Sequence, residues 1–282
     1  MASPFAVMGT LLRGYNARAL RILVKNGLDR KQASAIASAS INRTTWTGML
    51  VPDRLFEAGV NPTAVEELDK AGLLTTKPTT IAIPYKSTKE SIRIIRIPLK
   101  ALSEDELSQR IGEKVRISCH LDIDADMTKQ FTEIVKEGFF THLWEQSLLS
   151  LDRISRSRDR MIFVLQSEST KQILGFVTGR YDNELPEHTY LLELVAVRNG
   201  HRGKGIGKAL ICALFKELES QKYKGYTEVA LFCNKYDKHG IKLVDYYQKA
   251  GFVMAGLEGD LIKMVAPTAH TDLTVKKMIY NS

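Results

Sequence analysis

Cysteine is scarce in this chain. Its three cysteines, Cys119, Cys212 and Cys233, stand far apart with no CxxC pair and no Cys/His cluster, which excludes a disulfide framework and a zinc site. A reducing, intracellular and cytoplasmic setting is expected. Long apolar runs are also missing. Runs such as Val229–Cys233 are of strand length, and the longest, Ala209–Phe215, has seven residues, far short of the ~18 to 20 residues that a helical membrane span needs, so no bilayer crossing is expected. The first thirteen residues have no basic segment, and Gly9 and Arg13 break their apolar stretch, so no secretory signal is read there. Residues 1–28 do carry four basic residues and no acidic one, a composition shared by an ordinary basic first helix and by a mitochondrial presequence. Fixed-period repeats and low-complexity tracts are absent, which removes solenoids and propellers. Neither GxxxxGK[ST] nor GxGxxG followed by an acidic residue ~20 positions later is present, which excludes the two best-known phosphate loops.

What remains is an ordinary globular composition, 44% hydrophobic, 26% charged and 8% aromatic over 282 residues, enough chain for about two domains. The net charge of +8 is uneven. Residues 1–110 hold 16 basic against 10 acidic side chains and residues 111–282 hold 24 against 22. A basic segment of this kind can approach a polyanion by releasing its counterions, or can simply be a solvated face.

The chain divides into residues 1–110, a small basic helical domain and linker, and residues 111–282. In the first part, helices are predicted over 5–26, stopped by Gly27, over 30–39, and over 63–71, where Asn61-Pro62 supplies a cap and a first-turn proline and Gly72 a stop. Two strands, 79–85 and 91–98, flank the polar turn 86–89. Three helices and a hairpin in that order resemble a winged helix-turn-helix domain, and equally a protein-docking module. In the second part, strands are predicted over 115–121, 160–167, 172–181, 189–197, 227–233, 251–257 and 260–266, with helices over 127–137, 140–155, 207–221 and 239–250. The fold class is α/β (α+β), a mixed, mostly antiparallel sheet flanked by helices and preceded by the helical domain with its β-hairpin.

The most informative stretch is 191–210, LLELVAVRNGHRGKGIGKAL, an apolar strand running through a glycine-rich basic turn into an amphipathic helix. A helix N-terminus offers unpaired N–H groups and the positive end of its dipole, glycines let backbone approach a phosphate, and Arg202 and Lys204 add charge. The spacing Arg202-x-x-Gly205-x-Gly207 is similar to the [RQ]-x-x-G-x-[GA] signature of the GNAT superfamily of acyl-coenzyme A-dependent N-acyltransferases. The element order from 115 to 266 resembles that family too, as does 245–252, DYYQKAGF, with a tyrosine four residues before Gly-Phe. The resemblance covers a little over half the chain. Family members often carry an Asn about seven residues before that tyrosine, where this chain has Gly240, with Asn234 six residues further back.

The resemblance implies acetyl-CoA as co-substrate and no metal; His120, His201 and His239 show no ligand spacing. Coenzyme contacts are implied at Arg202, Gly203, Lys204, Gly205, Ile206, Gly207, Lys208 and Asn234, with the Val195 and Val197 N–H groups holding the pantetheine arm and polarising the thioester. Amine acylation needs a base, a carbonyl site and an acid for the thiolate. Glu193 interrupts an apolar strand and lies nine residues before Arg202, the place of the catalytic glutamate in GNAT histone acetyltransferases; it is either the base, its pKa raised by desolvation, or a carboxylate satisfied by a neighbouring basic group. Alternation sets Glu193 on one face with Leu191, Val195 and Val197, and Leu192 and Leu194 on the other. Tyr247 takes the position of the proton donor or is plain core, with Tyr246 as its substitute, while Cys212 and Cys233 read as core. The acceptor amine would be gripped by about 136–142 and 256–260. A macromolecule suits the basic first domain: protein lysine, protein N-terminus, aminoacyl-tRNA or another nucleic acid, with a small amine also open. The competing reading is a nucleic-acid-binding regulator with a coenzyme-sensing or inactive GNAT domain; a third makes the first domain a protein-docking module.

Overall fold

A computed structural model describes residues 16–39, 41–42, 47–48, 50, 52–74, 85–95, 101–156, 160–182, 184–186, 188–220, 225–259, 261–268 and 272–280. The chain forms two compact units, one of residues 1–81, 140–142 and 236–242, the other of 82–139, 143–235 and 243–282.

The described part of the first unit opens with a helix over 16–25 (α1), ended by Gly27 at φ +96°, where the Gly27 and Leu28 N–H groups turn back to Val24 and Leu23 carbonyls. This is the αL stop expected of that glycine. Helix α2 (Arg30–Ala39) follows as predicted, then two short strands, β1 (Ile41–Asn42) and β2 (Thr47–Gly48), and helix α3 (Pro52–Glu57), neither of which was expected. Helix α4 (Pro62–Lys70) has the predicted start, with Asn61 Oδ1 accepting from Ala64 N at 2.8 Å and a proline in its first turn. Asn61 Nδ2 reaches the Asn26 carbonyl at 2.7 Å, and Lys25 pairs with Glu67 at 2.8 Å, so α1 and α4 are joined at their polar rims around a core that includes Leu23, Leu55, Val65 and Leu68. Asp69, 6% exposed, accepts from both the backbone N and the hydroxyl of Thr141, at 2.8 and 2.6 Å.

The second unit corrects two expectations. The hairpin is not formed: residues 86–89 lie inside one strand, β3 (Tyr85–Ile95), whose partner is the C-terminal strand, later labelled β11. The rest of the expected strand 79–85 lies outside the described residues. Polar residues that read as a turn are drawn into a strand by a pairing no local window contains. The second correction concerns residues 104–111, placed in the linker, which form helix α5 (Glu104–Ile111), begun by a reciprocal Ser103/Glu106 capping box and ended by Gly112; its Leu107 is buried in the main core, so this stretch belongs with the sheet.

The elements that follow are β4 (Val115–His120), α6 (Ala125–Gly138), a short 3₁₀ turn, α7 (Trp144–Arg156), β5 (Met161–Ser167), β6 (Ile173–Tyr181), β7 (Thr189–Val197), α8 (Ile206–Leu218), β8 (Glu228–Cys233), α9 (Leu243–Lys249), β9 (Val253–Glu258), β10 (Leu261–Pro267) and β11 (Asp272–Tyr280). Seven strands make one sheet in the order β4-β5-β6-β7-β8-β10-β9, antiparallel except for β7 beside β8. Each face is covered. Leu210, Leu214 and Phe215 of α8 and Val244 of α9 pack on one side with Leu192 and Leu231, while Phe131 and Ile134 of α6 and Ile154 of α7 pack on the other with Phe176 and Leu194. This is the expected mixed sheet between helix layers. β3 and β11 form a separate two-stranded sheet.

Candidate active site

The one parallel pairing opens the sheet. β6 stays paired with β7 as far as Gly175↔Val197, whereas β7 and β8 pair only at Thr189↔Glu228, Tyr190↔Val229 and Leu191↔Ala230. Beyond Leu191, the β8-facing edge of β7 has no strand partner among the described residues. The Arg198 N–H turns toward β6, donating to the Leu174 carbonyl at 2.8 Å. Since successive N–H groups of a strand point to opposite edges, those of Val195 and Val197 point into this opening.

The opening leads to the glycine-rich turn. Gly203 and Gly205 adopt left-handed conformations at φ +76° and +94°, and Gly205 is the N-cap of α8 with no side-chain cap. The first N–H groups of α8, around Ile206, Gly207 and Lys208, therefore have neither an intrahelical partner nor a cap, the arrangement that takes an anion. Gly207 is small for another reason: a Cβ there would strike the Tyr246 hydroxyl and sit 3.7 Å from Val195 Cγ1. Lys204 is half-buried beside the turn. The Arg202 side chain serves the framework, its Nε donating to the Val197 carbonyl at 3.2 Å and its guanidinium packed against Gly138 of α6. The His201 pKa is lowered by partial burial and next by the Lys204 charge, which favours an uncharged ring beside the turn.

Glu193 sits at a β-bulge, because Thr178 faces Leu194 while the next residue, Gly179, faces Leu192. The extra residue resets the alternation: Leu192 packs with α8 and Leu194 with α6, so the prediction of one shared face for these leucines is corrected. The basic neighbour foreseen as an alternative is present. Arg180 Nε donates to Glu193 Oε2 at 2.9 Å, and Arg180 Nη2 lies 2.7 Å from Asp182 Oδ2, with side-chain exposures of 9% for Glu193, 15% for Arg180 and 12% for Asp182. One guanidinium thus holds two nearly buried carboxylates. Arg180 and Asp182 were not foreseen, although Arg180 interrupts the apolar strand β6 as Glu193 interrupts β7, and paired interruptions of opposite sign in neighbouring strands are a readable signal.

Tyr247 and Tyr246 diverge within α9. The Tyr247 ring lies in the main core, edge-on to Phe252 at 5.8 Å and to Tyr246 at 5.1 Å. Tyr246 sends its hydroxyl to the start of α8, and burial, with a smaller effect of Cys212, pushes its pKa up to about 12. Asn234 is half-buried just past β8 and is not brought to the turn by any hydrogen bond among the described residues. Gly240 adopts φ +77° in a loop of the first unit, 3.1 Å (as an added Cβ) from Phe56. Cys212 and Cys233 are buried, Cys119 is exposed, and no group of three or more His, Cys, Asp and Glu among the described residues could hold a metal ion.

Residues 124–252 match the model of the acetyltransferase (GNAT) family. This segment is a GNAT acetyltransferase domain. It carries the open edge of β7, the uncapped start of α8 and both tyrosines, and the enzyme class of the family is N-acetyltransferase with acetyl-CoA as acyl donor. The uncapped helix start and the unpaired strand edge fit the two chemically distinct parts of that donor, phosphate and amide-rich arm. Among solved structures the chain is similar to the PaiA N-acetyltransferase from Thermoplasma acidophilum in complex with coenzyme A, at 18% identity over 54% of this chain and 99% of that one with a TM-score of 0.41. It is also similar to the ribosomal-protein-S18-alanine N-acetyltransferase from Escherichia coli, at 16% identity over 56% and 96% with a TM-score of 0.41. A third is an aminoglycoside 6'-N-acetyltransferase complexed with coenzyme A, at 14% identity over 55% and 98% with a TM-score of 0.43. No curated protein sequence matches the chain. Among the described residues no helix is long and apolar enough to cross a membrane.

Proposed function

We propose that this chain acetylates an amine of a macromolecular acceptor by direct attack on acetyl-CoA within a ternary complex. The observation that carries the reading is the continuity of the unpaired β7 edge, with the Val195 and Val197 N–H groups, into the uncapped glycine-rich start of α8. The coenzyme's phosphates lie on the N–H groups of residues 203–208, and its pantetheine arm pairs with β7 as a strand would. Lys204 supplies charge there; Arg202 contributes by fixing the turn.

Glu193 is the base. A protonated amine has no lone pair to attack with, so its proton passes to the carboxylate before or as the C–N bond forms. The carbonyl oxygen gains charge beside the Val195 N–H, the C–S bond breaks, and the thiolate takes a proton from Tyr247. Support for Glu193 comes from its bulge, which turns a nearly buried carboxylate out of the strand alternation, and from the family spacing to Arg202. The basic first third of the chain supports a macromolecular acceptor. The regulator reading loses the turn on which its hairpin was built and keeps only the basic charge of the first third.

Thiol release is measured from acetyl-CoA alone and with a lysine peptide, a peptide with a free N-terminus, aminoacyl-tRNA and spermidine. Acceptor-dependent release with a macromolecule supports the reading; release with spermidine alone overturns the acceptor class, and full turnover by both Glu193→Gln and Tyr247→Phe overturns the mechanism.

A further inference from the structure

We infer that Tyr246 is a coenzyme-contacting residue, its hydroxyl donating a hydrogen bond to the phosphopantetheine of the bound donor where the start of α8 meets the open edge of β7. This rests on the reading of that junction as the acetyl-CoA site. Three observations carry it. First, the hydroxyl stands where a Cβ of Gly207 would be, and the Cβ atoms of a helix lean toward its N-terminus, so the hydroxyl is on the side of the first turn where the N–H groups are unpartnered. Second, the same point is 3.7 Å from Val195 Cγ1, which sets the hydroxyl beside the strand residue whose N–H faces the opening. Third, the hydroxyl forms no hydrogen bond among the described residues. Tyr246 is half-buried and its hydroxyl is not among the enclosed unpartnered atoms, so an acceptor can reach it, and phosphate and amide oxygens are acceptors only. With its pKa pushed up to about 12 by burial, Tyr246 keeps its proton and remains a donor over the whole physiological range.

The assignment also gives Gly207 its reason. The signature at this position accepts glycine or alanine, but here alanine would collide with the Tyr246 hydroxyl, while the next ring atom, Cζ, is 3.5 Å from the same point and would be tolerated. The two residues are therefore a coupled pair.

Calorimetric titration of the full chain with acetyl-CoA tests this with Tyr246→Phe, Gly207→Ala and the double variant, each with its melting temperature. Tyr246→Phe is expected to weaken binding about tenfold, the loss of one hydrogen bond to the ligand, while melting no lower than the wild type, since it removes an unpartnered hydroxyl. Gly207→Ala is expected to melt lower, and the double variant to recover most of that loss. Wild-type affinity in Tyr246→Phe overturns the assignment, and a double variant no more stable than Gly207→Ala overturns the coupling. Failure of the wild type itself to bind acetyl-CoA overturns the donor-site reading and this inference with it.

Discussion

Glu193 and Arg180 are charges set into two neighbouring apolar strands, and their chemistry depends on each other. With Oε2 held by Arg180 at 2.9 Å and the guanidinium braced by Asp182 at 2.7 Å, the carboxylate has one orientation rather than several. On the proposed mechanism Glu193→Gln keeps the shape and removes the base, so turnover should fall about 10²- to 10⁴-fold with acetyl-CoA affinity unchanged, measured by thiol release and calorimetry. Tyr246 makes a second prediction. Its pKa is about 12 in the folded protein against 10 for a free phenol, so the folded state holds the proton more tightly. Below pH 10 the phenol is protonated in both states; above it the unfolded chain ionises first, so the folded state loses up to roughly 3 kcal/mol relative to it as pH rises toward 12. Melting temperatures followed from pH 9 to 12 should drop more steeply for the wild type than for Tyr246→Phe. Most of this site was legible in the sequence: the glycine turn, Glu193 as an interruption of an apolar strand, and the tyrosines before Gly-Phe. Arg180 was legible only as a charge in an apolar strand, since its meeting with Glu193 depends on register between strands, and the contrast between Tyr246 and Tyr247 was not, because it depends on where α9 meets α8.

At the scale of elements, local chemistry and distant packing separate cleanly. The stop of α1 and both ends of α4 and α5 follow from caps within a few residues, and the predicted bounds of α2 match to the residue. Ser103→Ala, which removes half of the α5 capping box, should cost about 1 kcal/mol, read as a shift of the urea midpoint. The β7 bulge is different, since period-2 alternation carries no mark of an inserted residue, and the bulge alone decides that Leu192 and Leu194 serve opposite cores. On the α6 face, Phe131 is fully buried and stacks on Phe176 with ring centroids 4.1 Å apart. Phe131→Ala should cost about 3 to 5 kcal/mol by the same measurement, because the sheet and α6 cannot both close over the cavity.

Across the whole molecule, the chain is less modular than its sequence. The first unit includes 140–142 and 236–242 as well as the N-terminal residues, and the buried Asp69 accepts two hydrogen bonds from Thr141, 72 positions away. β3 pairs with β11, so a strand near residue 90 waits for the last residues of the chain. Removing residues 272–282 should leave β3 without its ladder, and amide exchange at 85–95 should accelerate by several orders of magnitude while the β5 and β6 amides stay protected. Exchange at 85–95 unaffected by the truncation would show that β3 is held by something other than β11.

The sequence by itself determined what short-range forces decide: apolar strands and amphipathic helices in their order, capped helix ends, and a glycine turn primed for an anion, since each depends on residues only a few positions apart. Tertiary structure decided what needs a partner far along the chain. It turned a predicted hairpin into a strand paired with the C-terminus, brought Arg180 to Glu193, and placed the Tyr246 hydroxyl over Gly207. Those outcomes follow from register and close packing, which one-dimensional patterns do not encode.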